Sequence, residues 1–219
     1  MNPYAPPQAS PSTAPGPARL GGISVVGIIT LSAIAANVAA RWAVLSLDLA
    51  NYDSIAARNV SPMLVTAEQV IGGLETLARL CSIVVFLVWV YQAASSVRSL
   101  GREGLTITPG MCVGWFFVPV MNLVMPYMAV SQIAVASDRE GRGSTPGFIL
   151  AWWLLYIASN VAGVIRQLMG KSMADLGLRL GWAAIADVAA AGSLVALFFT
   201  VRFVDGGRHH WASVKLASS

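Results

Sequence analysis

The sequence predicts an all-α integral membrane protein with four transmembrane helices and a proline-broken hairpin between the second and the third. Of its 219 residues, 56% are hydrophobic and only 11% are charged, and the mean hydropathy is +0.68. Soluble domains carry about 25% charged residues, so this chain has less than half of the ionic surface that water requires. This composition excludes a disordered chain and a nucleic-acid-binding domain, although the formal charge is +4.

The first 20 residues differ from the rest of the chain, because they contain six of its eleven prolines and a single charge. Such a segment cannot bury enough apolar surface to offset its ordering entropy, so we expect a disordered, Pro-rich tail over residues 1–20. The transmembrane helical domain is expected over residues 21–204. The polar end of the chain, residues 205–219, is expected to be a flexible tail.

Four apolar runs are long enough to cross a bilayer, which takes about 20 residues of helix. They cover residues 23–45, about 70–97, 148–165 and 182–201. Trp42 near the end of the first run is suited to anchor at the lipid–water interface. Each of the four runs is therefore predicted to be a transmembrane helix.

A fifth apolar segment, residues 113–136, is interrupted by two prolines with an asparagine between them. Each proline removes a backbone donor, and broken backbone at membrane depth has to be shielded by protein. The segment is therefore either a kinked fifth span or a re-entrant or interfacial hairpin that turns near Asn122. This asparagine either bonds the freed carbonyls or lines a small cavity. The candidate hairpin motif consists of Trp115, Pro119, Asn122, Pro126 and Tyr127.

The positions of the basic residues favour the hairpin over a fifth span. With five crossings, the basic residues outside the spans divide five against six, which predicts no orientation. With four crossings, eight collect on the side of both termini and three on the other. The eight are Arg19, Arg98, Arg102, Arg139, Arg142, Arg202, Arg208 and Lys215, and the three are Arg58, Lys171 and Arg179. Cytoplasmic loops carry the excess of Arg and Lys, so we expect four spans and two cytoplasmic termini.

Five ionisable side chains lie within or at the ends of the predicted spans: Arg41, Glu75, Arg79, Arg166 and Asp187. A charge at the bilayer centre costs on the order of 3 kcal/mol, so these groups are expected to face the bundle interior and to pair. Arg41 and Arg166 are near enough to the interface to snorkel, but either can instead join the cluster by pairing with its surplus carboxylate, which is otherwise neutralised by protonation. Glu75, Arg79 and Asp187 then form a candidate polar cluster in the outer leaflet, where Glu75 and Arg79 can pair at four-residue spacing. This cluster is either a structural network that sets helix register or a proton- or ion-responsive site with Asp187 as the titrating group.

No residues in the sequence form a recognisable catalytic or metal-binding set. There is no HExxH motif and no glycine-rich phosphate loop, and no nucleophile has an evident base. Cys81 and Cys112 are too few for a metal site and are expected to be buried and inert. We therefore predict no enzyme activity, no catalytic residue, no cofactor and no metal.

The stretch from Trp89 to Tyr127 has a specific order of Trp, Gly, Pro and Asn residues. It reads Phe-Leu-Val-Trp-Val-Tyr-Gln-Ala at 86–93, Thr-Pro-Gly at 108–110, Gly-Trp-Phe-Phe-Val-Pro at 114–119, Asn-Leu at 122–123 and Pro-Tyr at 126–127. In this pattern the chain, from about residue 70 to its end, resembles the bacterial membrane protein family catalogued as domain of unknown function 4328. The resemblance implies a multi-pass fold in the bacterial inner membrane and no particular activity, because that family has none established.

Several polar positions of the family are replaced in this chain. Gln92 stands where the family tends to have Arg, Val124 and Met125 stand where it often has Trp-Arg, and Ser131-Gln132 stands where it has an Arg-Glu pair. If those charges bind a ligand in relatives, this chain lacks part of that site.

Two functional hypotheses follow from the sequence. The first is a structural or interaction module that docks a membrane or cytoplasmic partner through its helices or its N-terminal tail. The alternative is a small channel or transporter with an outer-leaflet polar site. The expected surroundings are the lipid bilayer and either a second copy of the chain or another membrane protein, with no nucleic acid.

Overall fold

Four long helices form a bundle in the computed structural model, which describes residues 23–57, 59–102, 104–169 and 176–218. In chain order the helices are α1 (Val25–Ala50), α2 (Tyr52–Ala56), α3 (Pro62–Ser99), α4 (Pro109–Gly114), α5 (Met125–Ser137), α6 (Gly147–Leu168) and α7 (Leu176–Ser218). Helices α1, α3, α6 and α7 are long and apolar enough to cross a membrane. The predicted helical class is thus confirmed, and four helices have the length and composition that the four predicted spans require.

The predicted tail over residues 1–20 lies outside the described residues, as do Arg58 and Lys171 of the charge count. Ser24 and Ser61 begin α1 and α3 by accepting hydrogen bonds from backbone N–H groups of the first turn, as N-cap residues do. Both α3, with 38 residues, and α7, with 43, are longer than the apolar runs predicted. At 1.5 Å per residue they are about 57 and 65 Å long, so both extend well beyond a hydrocarbon core of about 30 Å.

Contacts between the long helices give their directions. Ser24 at the start of α1 bonds Asp205 of α7, and Arg41 bonds Asp187, so these two helices are antiparallel. The Ser193 hydroxyl of α7 donates to the Trp152 carbonyl of α6 at 3.3 Å. We call the end of the bundle where α1 begins and the last part of α7 lies the proximal end, and the opposite end the distal end.

Between α3 and α6 the chain folds back on itself. It passes through α4, the 3₁₀ turns Trp115–Phe117 and Met121–Leu123, and then α5. The Arg102 Nε donates to the Ala136 carbonyl at 3.3 Å, and the Thr106 N–H donates to Gln132 Oε1 at 3.1 Å. The two ends of this segment therefore lie side by side at the proximal end of the bundle.

The prediction of a flexible tail over residues 205–219 is corrected by the structure. Helix α7 continues to Ser218, and Asp205 is fully buried. The Trp211 Nε1 donates to the Asp138 carbonyl at 3.2 Å, and the Arg102 guanidinium lies 3.8 Å from the centre of the Trp211 ring. The polar composition of residues 205–218 is typical of a flexible tail, but these residues form helix and pack on the neighbouring loops.

One of the two cysteines is buried as predicted, and the other is not. Cys112 is buried, and loss of water raises the pKa of its thiol to about 11, which keeps it protonated and inert. Cys81 is instead exposed on α3. A run that is apolar on every side does not indicate which face points inward, so the sequence did not separate these two positions.

Candidate functional site

All five residues of the predicted polar cluster line one cavity in the distal half of the bundle. This space, which we call the polar cavity, has a volume of about 180 Å³. Its charged lining residues are Arg41, Glu75, Arg79, Arg166 and Asp187. The sequence places these residues at similar depths along their helices, and in the structure they surround one space. Their pairing, however, differs from the expectation.

Arg41 and Asp187 form a salt bridge between α1 and α7. Both Nε and Nη2 of Arg41 lie 2.7 Å from Asp187 Oδ1, and Nη1 donates to Ser159 Oγ of α6 at 3.3 Å. The side chains are 22% and 5% exposed. Of the two possibilities for Arg41, snorkelling to the interface and pairing with a surplus carboxylate, the structure shows the second, because a buried carboxylate requires a cation and Arg41 is within reach.

Glu75 and Arg79 do not form the expected ion pair, and neither has a salt bridge within the described parts of the chain. Arg79 Nη2 instead donates to Asn160 Oδ1 on α6 at 3.4 Å. At Glu75 it is the backbone carbonyl that accepts a hydrogen bond, from Asn37 Nδ2 at 3.3 Å. Arg166 likewise has no salt bridge among the residues described. Among the residues described, Glu75, Arg79 and Arg166 of the polar cavity thus form no salt bridge, although Arg166 interacts electrostatically with Asp48 of α1.

A larger space adjoins the polar cavity on its proximal side. We call it the chamber; its volume is about 350 Å³, and it shares Arg41, Arg79, Ser159 and Asn160 with the polar cavity. The aromatic side chains around it are Phe86, Phe116, Phe117, Trp152, Trp153 and Tyr156. A pocket of 300–1,000 Å³ with mainly apolar walls and few polar groups is typical of small-molecule sites.

The hairpin motif meets the chamber through Asn122. Its side chain lines the chamber, and its Oδ1 is buried without a hydrogen-bond partner. Trp153 Nε1 donates to the Leu123 carbonyl at 3.1 Å, so a tryptophan of α6 satisfies hairpin backbone there. Of the two roles weighed for Asn122, the structure favours lining a cavity.

The remaining residues of the hairpin motif do not line the chamber. Pro126 is buried in the first turn of α5, Trp115 and Tyr127 are half-buried, and Pro119 is exposed.

The chamber opens between α3 and α6, which scarcely contact each other. The only polar contact across this gap, among the residues described, joins Arg79 and Asn160. Ile83 of α3 and Tyr156 of α6 line the chamber and are 45% and 42% exposed. Because these accessible lining side chains lie on the two helices that scarcely contact each other, we infer that the α3–α6 gap is a lateral opening of the chamber.

Sequence reasoning missed Asp205, which closes the proximal end of the bundle. Its carboxylate accepts from the Ser24 N–H at 2.8 Å, Ser24 Oγ at 2.7 Å, Trp89 Nε1 at 3.2 Å and Arg208 Nη1 at 2.9 Å. Arg208 also donates to Ser96 Oγ at 2.9 Å. The apolar run ends at Val201, which placed Asp205 in a supposed tail; its spacing of three from Arg208 was the available signal.

Comparison with known proteins identifies one family. The family model described as Domain of unknown function (DUF4328) matches residues 52–206, which contain α3 to α6 and most of α7. Neither the curated proteins nor the solved structures contain a match to this chain. The match includes the α3–α6 gap and the hairpin that carries Asn122.

Removing one member of the Arg41–Asp187 pair should destabilise the protein. In Asp187→Asn the Arg41 charge stays half-buried without a partner, so we expect a loss of about 3 kcal/mol, the lower end of the range for buried pairs. Replacing both residues, as in R41Q/D187N, should recover much of this loss. The measurement is the thermal unfolding midpoint in detergent. Glu140→Gln, which breaks an exposed pair with Arg142, is the control and should have little effect. Equal midpoints for D187N and E140Q would contradict the assignment.

Asn122→Ala should leave stability unchanged or raise it. The substitution removes a buried acceptor that has no donor, and such a group costs about 1–3 kcal/mol. Thr108→Ala is the comparison, because Thr108 caps α4 through Met111 N–H at 3.3 Å and its loss should cost about 1 kcal/mol. Both variants are measured by thermal unfolding. A loss in N122A as large as that in T108A would instead indicate that Asn122 holds the hairpin together.

Proposed function

This chain belongs to the family described as Domain of unknown function (DUF4328), and we propose that it is a multi-pass membrane protein that binds a ligand in the chamber between its helices. One observation carries the proposal: the chamber is open at the α3–α6 gap and closed toward the proximal end. A space that is open on one side is suited to hold a molecule rather than to conduct one.

On its proximal side the chamber is closed by packed aromatic rings, and a buried polar network lies next to them. The Phe86 ring lies 6.0 Å from Trp89, 5.7 Å from Phe116 and 5.7 Å from Trp152, centre to centre. Trp89 is fully buried, and its indole N–H is held by Asp205. These contacts support a binding function over an open channel, because a conducting path would have to pass through packed rings.

Docking of a membrane or cytoplasmic partner, the first hypothesis from the sequence, has only the exposed helix faces to support it. Those faces are apolar along α1, α3, α6 and α7, and bilayer lipid covers such faces in any multi-pass protein. The chamber is a specific feature that lipid-facing helices do not require. The chamber is therefore a stronger indication of function than the exposed helix faces are.

We further propose that the segment between α3 and α6 is a re-entrant hairpin and that both termini are cytoplasmic, in a bacterial inner membrane. Helices α4 and α5, with 6 and 13 residues, are too short to span a bilayer, which takes about 20. The adjacent ends of the segment support entry and exit on one side. Basic residues at the proximal end, among them Arg98, Arg102 and Arg208, support a cytoplasmic location for that end.

Reporter fusions test this topology. Alkaline phosphatase fused after Ser219 should be inactive, because the enzyme folds only outside the cytoplasm, and green fluorescent protein at the same place should fluoresce. Phosphatase inserted between α6 and α7, after Leu168, should be active. An active phosphatase at the C-terminus would contradict the proposed orientation, and different activities after residues 102 and 141, which flank the segment, would contradict the hairpin.

Filling the chamber should abolish ligand binding. We expect native mass spectrometry of the full-length protein in mild detergent to show a retained small molecule. Ala190→Phe, which adds a ring to the chamber wall, should lose that molecule. Ala158→Phe adds the same ring to an exposed position of α6 and should keep it. Identical bound masses in the two variants, or none in the unmodified protein, would overturn the proposal.

A further inference from the structure

We propose that the ligand is an acidic phospholipid of the surrounding leaflet, with its headgroup in the polar cavity and one acyl chain in the chamber. This inference rests on the proposed binding function and adds to it the chemical class of the ligand. It also assigns Arg79 as the residue that selects an anionic headgroup.

The two adjoining spaces have the shape of an amphiphile. The polar cavity contains Glu75, Arg79 and Arg166, whereas the chamber beneath it is surrounded by aromatic and aliphatic side chains. Arg79 and Asn160 belong to both linings and so mark the boundary between them. A molecule that fills both spaces must be charged at one end and apolar at the other.

The chamber presents few free hydrogen-bonding groups to its contents. Ser82 donates to backbone carbonyls of α1 and α3, and Ser193 donates to Trp152 of α6. The Asn160 amide donates to the Tyr156 carbonyl at 2.7 Å. Asn122 Oδ1 at the hairpin differs from these groups, because it is buried without a hydrogen-bond partner. Because these polar groups are satisfied within the protein, the walls are suited to an acyl chain.

The lateral opening supplies a route from the bilayer. A gap between two membrane helices faces the hydrocarbon core, so a lipid can enter it sideways without leaving the membrane. The exposed side chains of Ile83 and Tyr156 flank this gap, and the guanidinium of Arg79 lies across it. A phospholipid can thus place one chain inside the chamber while the other stays in the bilayer.

The charges of the polar cavity favour a net negative headgroup. Arg41 is neutralised by Asp187, and Arg166 also interacts with Asp48 of α1, which lies outside the lining. Among the lining residues themselves, Arg79 and Arg166 stand against Glu75, so the cavity wall carries one more positive than negative charge. Arginine bonds phosphate in a bidentate, charge-assisted geometry. A phosphate on Arg79 with headgroup hydroxyls on Glu75 satisfies both of these side chains, and phosphatidylglycerol has this chemistry.

The test is lipid binding to the full-length protein, measured by native mass spectrometry with dioleoyl phosphatidylglycerol, phosphatidylethanolamine and phosphatidylcholine in parallel. Phosphatidylglycerol should bind about tenfold more tightly than the other two, because all three carry the phosphate but ethanolamine and choline add a cation that Arg79 and Arg166 repel. Arg79→Gln should remove this preference, Arg79→Lys should keep part of it, and Arg142→Gln on an exposed loop should leave it unchanged. Thermal unfolding of each variant confirms that it is folded.

The outcomes separate this inference from the proposed function. Equal binding of the three lipids, or an undiminished preference in R79Q, would overturn the lipid assignment alone if A190F still lost its bound molecule. No retained molecule and no lipid binding in the unmodified protein would overturn both proposals. Loss of phosphatidylglycerol binding in A190F together with loss of preference in R79Q is the result expected.

Discussion

The Asp205 carboxylate is the constraint on which the proximal half of the bundle depends. A charged group without access to water is stable only when its oxygens are bonded, and Asp205 receives donors from Ser24, Trp89 and Arg208. It thereby joins the start of α1, the middle of α3 and the end of α7. Gly27 permits the close approach, since a Cβ there would lie 2.5 Å from an oxygen of Asp205.

A second buried carboxylate, Asp187, ties α1 to α7 at a distal level through Arg41. The two tied positions on α7 are 18 residues apart, or about 27 Å along the helix. Helix α3 packs mainly on α1, and α6 packs mainly on α7. With α1 and α7 held together at both levels, α3 and α6 are left on the open side of the bundle. The lateral gap and the chamber are thus consequences of where the two carboxylates find their partners.

Hydropathy and charge were enough to predict the helical class, four long apolar helices and a similar depth for Glu75, Arg79 and Asp187. These features depend on the composition of local segments and on the position of a residue along its helix, and both can be read from a single sequence. Whether Arg41 snorkels or pairs with a carboxylate stayed open, because the choice depends on how α1 and α7 are rotated about their axes. Asp205 was missed for a different reason: it lies beyond the apolar run, and only the docking of α7 on the proximal loops buries it. The hydrogen bond of Trp153 to the hairpin likewise joins segments that are distant in the sequence, and local sequence patterns do not predict such contacts.

The central claim is that the open side between α3 and α6 is a lipid site rather than a packing defect. The most direct measurement is an experimental structure of the protein in nanodiscs that contain phosphatidylglycerol. The account predicts that α3 and α6 stay apart beside Arg79 and Asn160, with elongated density that runs from there toward Asn122. Continuous contact between α3 and α6, with the Tyr156 and Phe86 rings filling the space, would contradict it.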